Sequence, residues 1–407
     1  METGLNKMLP LEGIKVIEMG IWAFAPAAAV ALADWGAEVI KIEDPATGDP
    51  MRNLESSVGA RAPTKYSVYE VNNRNKRSMA LNLASEKGRQ IFYDMIKQSD
   101  VFVSNYRAAA LERLKADYES LSKVNPRLIY AMCTGYGING DEKDKAGYDT
   151  GAYWARCGLM VQLGQEGSSP AMLYPGLGDQ PSGQFCAGGI ALALYARERT
   201  GKGQKVDVSL IRSGVWVTSL ASMMAMELGF VPRLNRQQMG NPLVNCYKCK
   251  DDNWLMLLML QPDRYWSDLC RAMGLQHLEN DPKFCNITSR GANNVEIIAI
   301  MDKVFQTKTR CEWIEIFKGY NILWDPGNTF ADMVNDAQVN ASGAFLSYEH
   351  PTKGTMRVPA TPIDINNIPF VVRRHAPEFG ENTEEILLEF GYSWEDIAEL
   401  KESGAIL

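Results

Sequence analysis

"IKVIEMGIWAFAPAAAVALADWGAEVIKIE", Ile14 to Glu43, changes its hydrophobic rhythm twice. Its first residues, "IKVIEM", are a short apolar run suited to a buried strand. "APAAAVALADWG" is rich in alanine and predicts a helix that starts after Pro26 and stops near Gly36. "AEVIKIE" is again β-branched and short. Strand, helix and strand in that order predict a βαβ unit with parallel strands. The pattern repeats downstream. "SMALNL", "DVFVSN", "RLIYAMCT" and "QKVDVSL" read as strands, with helical stretches such as "SEKGRQIFYDMIKQS" and "GGIALALYARERT" between them. The expected fold class is therefore α/β, a doubly wound, largely parallel sheet. Such sheets bind ligands at the carboxyl ends of their strands.

The chain has 407 residues, more than one domain usually holds. Past Gly229 the alternation stops. "CYKCKDDNWLMLLML" reads as a hairpin turning at Asp251 to Asn253, and helices follow. The expected division is a large domain from residues 1–229 and 333–407, with a smaller α+β domain at 230–332. A net charge of −7 argues against nucleic acid and anionic membranes as main partners. No signal peptide is evident, and the apolar run "NWLMLLML" is too short to span a bilayer. Eight cysteines in apparent core segments suit a reducing, cytoplasmic setting. Cys246 and Cys249 form one C-x-x-C without a second ligand pair, so no metal site is expected.

Candidate chemistry gathers at strand ends. "NNRNKRS" places Arg74, Lys76 and Arg77 before a strand, and "NYRAAALERLK" sets Asn105 at a strand's end with Arg107 and Arg113 beyond. These cations are either a solvated surface or a grip for a phosphorylated ligand. "GYGING", Gly135 to Gly140, matches a dinucleotide-binding pattern, but a charged loop follows it where a helix should open. In "PGLGDQPSGQF" one acid, Asp179, lies among glycines just before an apolar helix that should open after Pro181 or Ser182. It could cap that helix. It could also be a carboxylate nucleophile, with helix-opening amides nearby to stabilise an oxyanion.

Several longer stretches resemble the class III coenzyme A transferases, a family that includes formyl-CoA transferase and carnitine CoA-transferase. They are "LPLEGIKVIEMG", "ADWGAEVIKIEDPATGDPMR", "NRNKRSMALNL", "NPRLIYAMCTGYG", "LGDQPSG", "RTGKGQKVDVSL" and the "GENTEEILLEFGY" tail. The resemblance runs essentially end to end. It implies a Rossmann-like large domain, an interlocked homodimer, and acyl-CoA and free acid as substrates with no permanently bound cofactor. It places the family's nucleophile on Asp179, beside Gly178. It implies that Asn105 and Arg113 lie near coenzyme A, with Lys76 and Lys145 as phosphate partners, and Arg77 of the cation cluster joins them as a coenzyme A-binding candidate. Racemases of the same fold use a histidine where this chain has Tyr148, so a proton-transfer pair lacks its base here. Tyr148 then lines the acyl pocket, donates a hydrogen bond there or packs in the core. Ala23 and Asp44 stand where formyl-CoA transferase has glutamine and arginine, and a single Gly240 replaces its long glycine run. "GYDTGAYWARCGL", "PGLGDQPSG" and "YKCKDD" resemble clostridial members acting on aryl-lactates and 2-hydroxyisocaproate. An apolar pocket near Tyr153, Trp154 and Met160 would suit such acids.

Overall fold

The computed structural model describes residues 9–53, 68–365, 368 and 370–407. Two compact units emerge. The larger comprises residues 1–160, 172–227 and 343–407, and the smaller comprises 161–171 and 228–342.

The larger unit is built on a six-stranded sheet: β1 (Lys15–Met19), β2 (Glu38–Glu43), β3 (Lys76–Ala80), β4 (Val101–Ser104), β5 (Ile129–Thr134) and β6 (Lys205–Ser209). Its spatial order is β3-β2-β1-β4-β5-β6, and every pairing is parallel. Chain order reverses between β1 and β4, which opens a crevice at their carboxyl ends. Successive residues face opposite sides, so both faces are apolar. Val16, Val39, Val103 and Ala131 meet the helices Phe24–Asp34 and Asp179–Thr200 on one side. Ile17, Ile40, Phe102 and Tyr130 meet the Glu86–Lys97 helix and the tail helices Thr383–Glu389 and Trp394–Glu402 on the other.

The Phe24–Asp34 helix is buried along its whole length, as its apolar composition up to the closing Asp34 requires. It begins two residues before Pro26 rather than after it. Proline is tolerated there because the first turn needs no donor at that position. The Asp179–Thr200 helix also begins early. Asp179 is its first residue and Pro181 lies inside its first turn. Among the glycines of "GYGING", Gly137 and Gly140 take positive φ in a loop, and no helix opens there.

A hairpin of β10 (Phe345–His350) and β11 (Gly354–Pro359) also belongs to the larger unit. The smaller unit holds an antiparallel sheet of β7 (Val244–Lys248), β8 (Trp254–Leu258) and β9 (Trp324–Gly327). Its core stacks Tyr247 on Phe305 at 4.8 Å and buries Trp313. Residues 161–171 and 333–342, placed with the large domain from sequence, cluster here instead. Gln162 explains the first: its Nε2 donates to the carbonyls of Val231 and Pro232. The C-x-x-C is a strand feature, with Cys246 half-buried on β7 and Cys249 buried just beyond. Among the described residues no group of three or more His, Cys, Asp or Glu could hold a metal, and no helix is long and apolar enough to cross a membrane.

Candidate active site

The loop after β1 crosses the crevice and is held from several sides. Asn105, just past β4, accepts from Ile21 N at 3.0 Å and donates to Ile21 O at 2.7 Å. This two-way amide clamp joins the two strands at the switch point. Lys41 donates to Gly20 O at 2.7 Å. Asp49 accepts from Trp22 N at 3.0 Å. Trp22 takes φ +62°, a left-handed conformation that costs a bulky residue about 1–3 kcal/mol. The surrounding bonds offset that cost.

Beneath the loop lies a fully buried quartet of charges. Lys41 pairs with Glu18 and Asp49, each at 2.9 Å, and Lys76 pairs with Glu18 at 2.5 Å. Lys76 also donates to Pro26 O at 3.1 Å, so the quartet supports the start of the first helix as well. This overturns the expectation that Lys76 meets a phosphate. It is 1% exposed and its ammonium is committed to protein acceptors. Burial pulls its pKa down to about 8, against the opposing charge of Glu18. Arg77 is corrected in the same way. It lies near the amino end of β3 and is tied to Glu38, Glu385 and Glu389. Those acids fix a tail helix to the sheet, away from the carboxyl edge. Arg74, 2% exposed, grips the buried carboxylate of Asp34 at 2.6 Å.

Asp179 sits at that carboxyl edge, on the first residue of its helix. Its predicted capping role is absent: Gly178 is the N-cap, with no side-chain cap bond. The turn before it is organised by Asp149. That carboxylate is 4% exposed and accepts from Thr150 N at 2.8 Å, Gly176 N at 2.9 Å and Gly178 N at 3.1 Å. Gly178 has to be glycine. A Cβ there would lie 2.7 Å from the Tyr153 ring and 2.8 Å from Asp149 Cβ. Asp179 itself is half-buried. Burial, and then the charge of Asp149, raise its pKa to about 7. Its carboxylate is thus unusually basic for an aspartate. Its neighbour Gln180 donates to the buried Asn72 at 2.8 Å.

Helix packing joins Asp179 to the β1 loop. A Cβ on Gly183 would come within 2.6 Å of Ala27 Cβ, so the two helices are in close contact there. The first helix leaves β1 and the second leads into β6, parallel strands of one sheet, so the two run the same way. One turn back along each, Ala23 and Asp179 stand at equivalent positions at the two helix starts. Ala23 is buried and carries no polar group toward the acid. Tyr148, one residue before Asp149, is 58% exposed, and its ring meets Trp22 edge-on at 6.2 Å. Asp179, Gly178, Tyr148, Ala23 and Asn105 therefore share one edge of the sheet.

Other expected contacts are less engaged. Arg113 is exposed on the last turn of the Ala108–Leu114 helix, which follows Asn105. Lys145 is exposed on the loop leading to Tyr148, bound to Glu142 at 2.8 Å and 5.0 Å from the Tyr136 ring. Asp44 is exposed and closes its own turn through Ala46 N. Gly240 lies in the smaller unit, in open space. The sequence reading missed Asp149 and Trp22. An acid beside Tyr148 gives no sign that it will bind three main-chain amides, and a tryptophan carries no sign of its φ.

A profile of CoA-transferase family III matches residues 11–383. A cinnamoyl-CoA:phenyllactate CoA-transferase of Clostridium sporogenes is 35% identical over 406 residues, 99% of this chain and 98% of that protein. An (R)-2-hydroxy-4-methylpentanoate CoA-transferase of Clostridioides difficile is 31% identical over 97% of this chain and 99% of its own length. Among solved structures, a CaiB/BaiF family protein from Brucella suis superposes with a TM-score of 0.81 at 26% identity, covering 94% of this chain and 100% of that one.

Proposed function

The chain belongs to CoA-transferase family III, and on that premise we propose that it transfers coenzyme A to a 2-hydroxy acid with an apolar or aromatic side chain, using Asp179 as nucleophile. One observation carries the reading: a half-buried carboxylate without an ion-pair partner among the described residues stands at the start of a helix, on a glycine-cleared turn at the sheet's carboxyl edge. The printed activities of the two clostridial relatives support the choice of acid class.

The steps balance as follows. The Asp179 carboxylate attacks the thioester carbonyl of the donor acyl-CoA. The C–S bond breaks, leaving an aspartyl–acyl anhydride and a CoA thiolate. The thiolate then attacks the Asp179 carbonyl carbon, forming an aspartyl–CoA thioester and releasing the donor acid. The acceptor carboxylate attacks that thioester, giving a second anhydride and the thiolate again. Attack of the thiolate on the acceptor carbonyl yields the new acyl-CoA and restores Asp179. Each step exchanges one activated acyl bond for another, so the thioester's energy is retained while water is kept out. A raised pKa suits this chemistry, because a less solvated carboxylate is a stronger nucleophile.

In this reading Asn105, Arg113 and Lys145 face coenzyme A. Leu192, Tyr195, Trp216, Leu220 and Met226, each more than half exposed, form apolar surface that a second copy of the chain would cover. Tyr148 favours transfer over racemisation, since a phenol is a poor base near neutral pH.

The test is to incubate the protein with acyl-CoA and hydroxylamine and map the mass change. A hydroxamate on Asp179, and loss of exchange in Asp179→Ala by at least about a thousandfold, are expected. Full exchange in that variant would sink the nucleophile. Solvent deuterium entering the α-carbon with no free acid required would identify an isomerase instead.

A further inference from the structure

We propose that Trp22 determines which acid this site accepts, its indole and the Tyr148 ring together forming the surface on which an aromatic or branched side chain rests. The inference depends on Asp179 carrying the acyl group.

Three observations converge on Trp22. Its backbone is held in a conformation tryptophan rarely adopts, by the bonds to Asp49, and at Ile21 and Gly20 by those of Asn105 and Lys41. Such local strain persists only where surrounding structure enforces it. The enforced geometry directs the ring against Tyr148, centroids 6.2 Å apart and planes at 82°. The two aromatics also keep solvent-facing surface, while the next residues in the chain, Ala23 and Phe24, are buried. An aromatic pair left half-open at a site of group transfer is a recognition surface in waiting.

Position supplies the rest. Ala23 lies one helical turn above the contact of Ala27 with Gly183, level with Asp179. An acyl group bonded to Asp179 is therefore next to the residue that follows Trp22. In a 3-aryl-2-hydroxy acid two carbons separate the ring from the carboxyl carbon, a short arm that on this reading extends toward the Trp22–Tyr148 surface. The two rings offer apolar faces, which favour an apolar side chain over a second carboxylate. The pair should select apolar acids and reject dicarboxylates.

The experiment measures kcat/KM for a 3-aryl-2-hydroxy acid, a branched 2-hydroxy acid, acetate and a short dicarboxylate, with one acyl-CoA donor throughout. Trp22→Asn removes the ring but keeps a residue that tolerates positive φ. It should lower the value for the aryl acid roughly 10- to 100-fold and leave acetate within about threefold. Trp22→Phe should recover most of the loss. Equal losses for every acid would assign Trp22 to the coenzyme A arm or to the backbone and overturn the inference, as would an unchanged preference in Trp22→Asn. Hydroxylamine capture on the wild-type protein separates the two readings. Without an adduct at Asp179 the nucleophile fails; with the adduct and an unchanged preference, only the role of Trp22 fails.

Discussion

Two acid clusters lie at the carboxyl edge of one sheet and are treated in opposite ways. Under the β1 loop, Glu18 and Asp49 face Lys41 and Lys76, so two buried carboxylates meet two buried ammoniums. At the start of the Asp179–Thr200 helix, Asp179 faces Asp149, and neither has an ion-pair partner among the described residues. The first cluster balances its charge and so fixes a shape. In the second, the charge of Asp149 is spread over three backbone amides, and Asp179 is left with none of that relief. The difference shows how a fold can hold one carboxylate rigid and keep a neighbouring one reactive.

The largest expected effect breaks the balanced cluster. Glu18→Ala leaves Lys41 and Lys76 without their shared carboxylate, and should cost about 3–5 kcal/mol in chemical denaturation. An unchanged midpoint would mean the quartet contributes no order to the loop. The next variant tests the unbalanced cluster. The nucleophile must be ionised, so wild-type kcat/KM should rise with pH through about 7. Asp149→Asn removes the neighbouring charge, and that limb should move to lower pH. The rate plateau should also fall by roughly tenfold, because Gly176 and Gly178 lose a charged acceptor. A pH profile that stays in place would deny the electrostatic coupling of the two acids.

The smallest effect concerns stability. Asp179 has a folded pKa near 7 against an ordinary 3.8, so the native state binds the extra proton between those values. Its contribution to stability is complete below the ordinary value and is lost as pH rises through about 7. Asp179→Asn carries no such charge. Its melting temperature should exceed the wild type's by a few degrees at about pH 8 and show no gain at about pH 4. A gain of equal size at both pH values would point to packing instead of charge.

Much of this was written in hydrophobic rhythm. The strand runs are short and apolar because their sheet is buried on both faces, and that signal is local. Gly178 was expected only from its place beside Asp179, and the crowding that demands glycine there comes from Tyr153 and Asp149, both distant in sequence. Lys76 and Arg77 misled because a charged residue looks solvated unless its partners are known. Their partners, Glu18 and Glu389, lie 58 and 312 residues away. Asp149 escaped because its partners are main-chain amides 27 and 29 residues later, which no residue type announces. The helix starts at Asp179, earlier than Pro181 suggests, because a first turn accepts proline.

The edge of the sheet at β3 carries a consequence for synthesis. Its free side is closed by residues from far down the chain. Ser78 N donates to Asn382 Oδ1 at 3.0 Å, Ala80 N to Thr383 Oγ1 at 3.1 Å, and Asn82 N to Ala405 O at 2.8 Å. A ribosome delivers those partners only after the whole smaller unit has emerged. During that interval the β3 edge is an open template, able to pair with another nascent chain. Truncation before Asn382 should therefore show first as aggregation during expression, ahead of any defect in catalysis.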